Sequence, residues 1–324
     1  MRLYRASPEQ AQKRISDGYY FMDNKDQDLI GEIESLKKER GAVILAHNYQ
    51  LAEVQDAADF TGDSLELSRK AAETDAGVIV FCGVHFMAET AKILSPDRPV
   101  LIPDPESGCP MADMVDVDQL GEFKALHPGV PVVAYVNTSA AVKAESDICC
   151  TSANAVNVVN SVDSDTVLFL PDASLAAHTA AHTTKRVIPY PGFCPTHHRI
   201  LASDVQHAKR EHPEAVVVSH PECTMDVLAL ADAIESTSGM LRFVKSSDAD
   251  EFVICTERGL LHKLQAENPQ KTFYNPNPEN ICPNMKKITL RKLRDGLKEM
   301  QYEIVLADDV IKAARSAIEG MIAL

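Results

Sequence analysis

The apolar positions of this chain fall into short continuous runs separated by stretches with helical spacing. AVILAHNY from Ala42, VVAYVN from Val132 and VVVSHPE from Val216 are the clearest runs, and VIVFCGV, TVLFLPD and EFVICTE follow them in turn. Continuous apolar strands are expected in a parallel sheet, because helices cover both of its faces. The pattern therefore predicts an α/β chain of alternating strands and helices. Ser7-Pro8-Glu9-Gln10 reads as a capped helix start, and a second helix runs over about 28–40 with Gly41 as its stop. Helices over about 116–127 and 202–212 connect the strand-rich stretches, and helices over about 289–300 and 308–323 close the chain.

The strand–helix order occurs three times, over about 42–110, 128–195 and 213–283. Aligning the first strands on His47, Asn137 and His220 leaves 62, 57 and 62 residues to a closing cysteine. Ser64, Ser152 and Thr237 are each followed eleven residues later by an aspartate, Asp75, Asp163 and Asp248. An ordinary doubly wound sheet is weakly self-similar too, but shared landmarks in one order favour a true repeat. The predicted architecture is three pseudo-symmetric, three-layer αβα domains around a central site. Their expected bounds are 1–110 with the N-terminal helices, 111–196 and 197–283. The tail 284–324 has no repeat partner and is expected to pack back on the first unit. No linker-like stretch interrupts the chain.

Lysine plus arginine number 32 against 47 aspartates and glutamates, a net charge of −15. That balance argues against nucleic acid and anionic membranes, and leaves room for a small anionic substrate in a local pocket. The N-terminal arginines have no apolar run behind them, so no signal peptide is expected, and no run reaches a membrane span. A cytoplasmic protein is expected, with its eight cysteines reduced.

Three of those cysteines close the repeats. Cys109, Cys194 and Cys282 follow LIPDPESG, VIPYPGF and FYNPNPENI, spaced 85 and 88 residues apart. Brought to one axis, three thiolates can hold an iron–sulfur cluster and leave one metal without a protein ligand. Cys82 and Cys255 lie inside apolar strands, Cys149-Cys150 at a strand end, and Cys223 beside Glu222; these read as core residues. There is no C-x-x-C and no Gly-rich phosphate loop.

Ligands bind beyond the carboxyl ends of parallel strands. His47 and Tyr49, Tyr135 and Asn137, and His220 and Glu222 stand there. His47, His220, Tyr49 and Glu222 make an acid–base set. Ser64, Ser152 and Thr237, each just before a helix, are either helix caps or an anion-binding triplet. Adjacent His197 and His198 cannot both face one site, and His178 with His182 reads as an exposed pair.

Taken together, ILAHNYQ, EVQDAADFTGDSLELS, GVHFMAETAKIL, YVNTSA, TSANA, HPEC, STSGM and CPNMKKITL resemble the quinolinate synthase family, in order from about residue 30 to 320. The resemblance implies a 4Fe-4S cluster held by Cys109, Cys194 and Cys282 with one open iron. It implies substrate contacts from His47, Tyr49, Ser64, Tyr135, Asn137, Ser152, His220, Glu222 and Thr237. The implied reaction condenses iminoaspartate with dihydroxyacetone phosphate to quinolinate, releasing phosphate and two waters, with the cluster as Lewis acid. A transient contact with L-aspartate oxidase is the implied protein partner. Cys282 is the only cysteine of its segment, so a disulfide switch there has no support, and His85 is given no role. A non-enzymatic iron–sulfur carrier and another cluster-dependent hydro-lyase are the competing readings.

Overall fold

The computed structural model describes residues 24–324. The helix expected from Ser7 lies outside them. Three four-stranded parallel sheets form the body. The first holds β1 (Ala42–His47), β2 (Phe60–Gly62), β3 (Val78–Cys82) and β4 (Val100–Leu101). The second holds β5 (Val132–Tyr135), β6 (Ile148–Cys150), β7 (Thr166–Leu170) and β8 (Arg186–Pro189). The third holds β9 (Val216–Ser219), β10 (Ala233–Ile234), β11 (Glu251–Cys255) and β12 (Thr272–Tyr274). Each sheet has the same order, second strand, first, third, fourth. The first and third strands of each sheet are central and buried almost throughout, as their continuous apolar runs require. Phe81, Phe169 and Phe252 are fully buried on these strands. Burying such a side chain stabilises the fold by roughly 3 kcal/mol.

The likeness of the units extends to single hydrogen bonds. Asp59 Oδ2 accepts from the Ile44 amide at 2.8 Å, Asp147 Oδ2 from Val132 at 2.7 Å and Asp232 Oδ2 from Val217 at 2.8 Å. In each unit this carboxylate closes the loop between the first helix and the second strand. Past the third strand a backbone amide binds the carbonyl two residues before the closing cysteine. The bonds are His85 to Ser107 at 2.7 Å, Ala173 to Gly192 at 2.8 Å and Arg258 to Asn280 at 3.0 Å. Each cysteine therefore hangs over the carboxyl end of its own sheet. A single-turn 3-10 helix begins three residues after each of them, at Ala112, His197 and Met285.

These bonds correct the alignment of the second repeat. They equate His47 with Tyr135 and His220, and Tyr49 with Asn137 and Glu222. Matching Asn137 to His47 was two residues out, because apolar Val136 prolongs the run beyond the strand, which ends at Tyr135. Asp75, Asp163 and Asp248 are exposed in the turns before β3, β7 and β11.

Gly41, at φ 57°, ends the helix Asn24–Arg40 as its left-handed C-terminal residue. Helix Leu290–Glu299 packs on that helix and on Ala52–Ala57. The following chain covers the edge of β4: the Ile102 amide binds the Tyr302 carbonyl at 3.1 Å and the Ile304 amide binds Val100 at 2.8 Å. The last helix, Asp308–Ile322, lies against β6 and helix Ala140–Ala144 of the second unit and against helix His85–Leu94 of the first. The tail thus spans two units.

Candidate active site at the carboxyl ends of the sheets

Loops from all three units enclose one cavity of about 140 Å³. It is lined by His47, Tyr49, Ser64, Tyr135, Asn137, Ser152, His220, Glu222 and Thr237, and by Cys109, Cys194 and Cys282. Every residue singled out from the sequence as a site residue is brought to this one space. His178 and His182 lie elsewhere: His182 is exposed, and neither lines this cavity.

His47 and His220 are buried, each just ahead of a turn that closes on itself. The amide of Tyr49 donates to His47 Nδ1 at 3.2 Å, and the amide of Glu222 donates to His220 Nδ1 at 3.3 Å. An Nδ1 that accepts leaves the proton on Nε2. Burial lowers both imidazoles to about 3, against the opposing pull of Glu222. Both are therefore neutral N–H donors, suited to gripping an anionic oxygen rather than to carrying charge.

Glu222 is buried and fully engaged. The Tyr135 hydroxyl donates to its Oε1 at 2.6 Å, and His197 Nδ1 lies 2.6 Å from Oε2. Burial pushes this carboxyl upward, but His197, His220 and the Tyr135 hydroxyl outweigh it and hold it below the usual carboxylate range. Beyond His197 the chain of contacts continues. Its Nε2 lies 2.9 Å from Thr256 Oγ1, which lies 2.5 Å from the Tyr49 hydroxyl. Tyr49, Thr256, His197, Glu222 and Tyr135 form one connected set drawn from all three sheets. Such a set can pass a proton across the cavity or hold it at either end.

The hydroxyl triplet is not occupied by helix capping. Asp63 caps helix Ser64–Glu73 through the amides of Leu65 and Glu66, and Ser236 caps helix Thr237–Ser246 through that of Gly239. Ser64 and Thr237 are the first helical residues and face the cavity, Thr237 Oγ1 accepting from Asn48 Nδ2 at 3.2 Å. Asn137 Oδ1 is buried without a partner, an acceptor available to a bound molecule.

Cys109, Cys194 and Cys282 are free thiols, half-buried at the cavity wall. Burial pushes Cys109 up to about 12, Cys194 well above its ordinary value and Cys282 upward. In every case amides of the following 3-10 turn oppose that push: Ala112 and Met111 at Cys109, His197 at Cys194, Met285 and Asn284 at Cys282. N–H groups aimed at sulfur favour thiolates, and a cation bound by all three supplies the missing counter-charge. The donor set fits an iron–sulfur cluster with three protein ligands. At the Cys194 corner, Cys194, His197 and Glu222 each bring a ligand atom within 4.8 Å of the others, a group able to hold a metal ion.

Sequence reasoning left His197 undecided and missed Thr256, Glu257 and Lys286. His197 turns inward, while His198 turns out to Ser174 Oγ at 2.9 Å. Glu257 binds the Cys282 amide through Oε1 at 3.0 Å and pairs with Lys286 at 3.1 Å. Its counterpart Asp172 is also buried two residues past a third strand. The pair of acids in TVLFLPD and EFVICTE was the available signal. Gly259 permits the tight approach here, since a Cβ would stand 2.6 Å from Lys286 Nζ and 3.0 Å from the Gln50 carbonyl.

A family model described as "Quinolinate synthetase A protein" matches residues 31–323. A quinolinate synthase of Dehalococcoides mccartyi is 55% identical over 90% of this chain and 96% of its own length. Quinolinate synthase 1 of Methanosarcina acetivorans is 54% identical over 92% and 98%, and a quinolinate synthase of Alkaliphilus metalliredigens 53% over the same shares. Among the described residues no helix is long and apolar enough to cross a membrane.

Proposed function

The chain belongs to the quinolinate synthetase A family, and from that premise we propose that it is a quinolinate synthase, a condensing and dehydrating transferase of NAD biosynthesis acting in the cytoplasm. Its substrates in this reading are iminoaspartate and dihydroxyacetone phosphate, and its products quinolinate, phosphate and two waters. Cys109, Cys194 and Cys282 are the ligands of a 4Fe-4S cluster whose fourth iron carries no protein ligand. The domains take the bounds 1–110, 111–196 and 197–283 about that centre, with 284–324 as a closing tail. L-aspartate oxidase is the transient partner that presents iminoaspartate, and neither nucleic acid nor membrane takes part.

The observation that carries this reading is the meeting of three amide-cradled thiols with nine polar side chains in one cavity. When bound, the cluster supplies a Lewis acid for a departing hydroxyl. Ser64, Ser152 and Thr237, with the Nε2–H groups of His47 and His220, hold carboxylate and phosphate oxygens without a cluster of fixed cations. Glu222, kept ionised by its neighbours, takes the proton that isomerisation of the condensed substrate must lose. The Thr256–His197 link and the Tyr49 hydroxyl keep a proton available on the opposite side for ring closure. Burial of His47, Tyr49, His197, His220, Glu222, Thr237 and Thr256, with Ser64 and Ser152 half-buried, limits the access of bulk water to a dehydration. The deciding experiment is anaerobic. Protein with a fully loaded cluster is given dihydroxyacetone phosphate and freshly generated iminoaspartate, and quinolinate is quantified by chromatography. Absence of quinolinate at full cluster content sinks the proposal.

A further inference from the structure

We propose that Lys143 is a positioning residue: buried between the first and second units, it pins the turn that carries Tyr135 and Asn137 into the cavity. The inference rests on the functional reading above for what those two side chains contact.

Lys143 is fully buried on the short helix Ala140–Ala144, and its ammonium donates to the Thr138 carbonyl five residues back. The first unit has the same device in another chemistry. Gln55 stands at the corresponding place on helix Ala52–Ala57, and its Nε2 donates to the Gln50 carbonyl, again five residues back, at 2.9 Å. The repeat interval between Gln55 and Lys143 equals that between Asp59 and Asp147 and between Ser64 and Ser152. In the third unit Leu228 occupies the place, and no side chain reaches back.

The three turns explain which of them needs the clamp. In the first and third units the turn closes through its own backbone, Gln50 amide to His47 carbonyl at 3.0 Å and Cys223 amide to His220 carbonyl at 2.9 Å. The second turn lacks that bond, and the Thr138 hydroxyl reaches the Tyr135 carbonyl at 3.1 Å instead. A hydroxyl rotor fixes a backbone less firmly than an amide does. The first turn has a further tie, since Lys286 also binds the Tyr49 and Gln50 carbonyls. Lys143 is thus the main polar tie on the least self-sufficient turn.

Its charge is answered from across the unit boundary. Glu89, buried on helix His85–Leu94, accepts from the Ala140 amide at 2.9 Å, and its charge favours the Lys143 ammonium that burial disfavours. A buried ammonium and a buried carboxylate are costly to keep, and removal of one partner leaves the other uncompensated. Gln55 supplies the control that this problem requires, because an amide already makes the same bond in the first unit.

The test compares K143M, which removes the donor, with K143Q, which keeps a donor in the manner of Gln55. Both leave Glu89 equally uncompensated, so their difference isolates the hydrogen bond. With iron content matched to wild type, K143M is expected to lower kcat/KM by about 10- to 100-fold, mostly through KM, and K143Q to stay within about 3-fold. Amide hydrogen exchange should quicken at residues 136–140 in K143M alone, with the cluster absorption unchanged. If K143M unfolds, E89Q/K143M and E89Q/K143Q pose the same comparison without either charge. Equal behaviour of the two variants in both kinetics and exchange overturns the proposal. Failure of the wild type to make quinolinate strikes the functional reading instead, and the exchange result still decides the role of Lys143.

Discussion

Cys82 and Cys109 belong to the same unit and live in opposite surroundings. Cys82 ends a buried strand, and burial alone pushes its thiol upward with no donor to oppose it. Cys109 sits just past the sheet in a turn whose amides point at its sulfur. Cys149 and Cys255, inside strands, are opposed only by the Lys143 charge and by the Ser219 side chain with the Lys209 charge, and by no backbone amide, whereas Cys194 and Cys282, in turns, have amides set against burial. A thiol in a strand fills space; a thiol in a turn beyond the strands, cradled by backbone N–H groups, is prepared to become a ligand.

Substituting the turn cysteines puts that contrast to its hardest test. Cys109→Ser, Cys194→Ser and Cys282→Ser should each lose the cluster and with it all activity, whereas Cys82→Ala and Cys255→Ala should load iron and sulfide like wild type. Anaerobic iron and sulfide analysis reads the result, and a cluster retained in Cys194→Ser but lost in Cys223→Ala would reverse the ligand assignment. A smaller effect is expected where the site holds protons rather than metal. Glu222→Gln should keep the cluster spectrum and lower turnover by about 10²-fold or more, the scale of a positioned general base. Single-turnover kinetics at matched cluster content checks this, and near-normal turnover removes Glu222 from that role. Smaller again, Ser64→Ala, Ser152→Ala and Thr237→Val should each weaken substrate use by roughly 1.5–3 kcal/mol, the worth of a hydrogen bond to a charged group. Unchanged KM in all three would mean that the hydroxyls touch no substrate. The least effect belongs to the strands: Cys82→Ala should cost about 1 kcal/mol of stability, as small core truncations do, with no change in kcat. Thermal unfolding of the loaded protein measures it.

Much of this was readable before any coordinates. The continuous apolar runs of AVILAHNY, VVAYVN and VVVSHPE gave the strands because both faces of the sheets are covered. The twelve site residues could be gathered because a repeat makes chain position stand in for spatial position. What escaped were contacts that cross between units. Thr256 and Lys286 carry no local signal, since each is defined by a partner more than two hundred residues away, Tyr49. The second repeat slipped by two residues because Val136 is as apolar as a strand residue, and the Asp147–Val132 bond fixes the register. The scaffold aspartates Asp59, Asp147 and Asp232 keep the repeat spacing as faithfully as the cysteines do, yet an aspartate beside a strand has too many other uses to stand out.

The three turns share a frame and differ in what they present: His47, Tyr135 and His220 at one level, Tyr49, Asn137 and Glu222 at the next. Had the presented residues stayed alike, a molecule entering the cavity would meet three interchangeable seats and spread itself among them. Divergence of the lining on a conserved frame removes that degeneracy. A lopsided molecule, with a carboxylate at one end and a phosphate at the other, then finds one orientation instead of three.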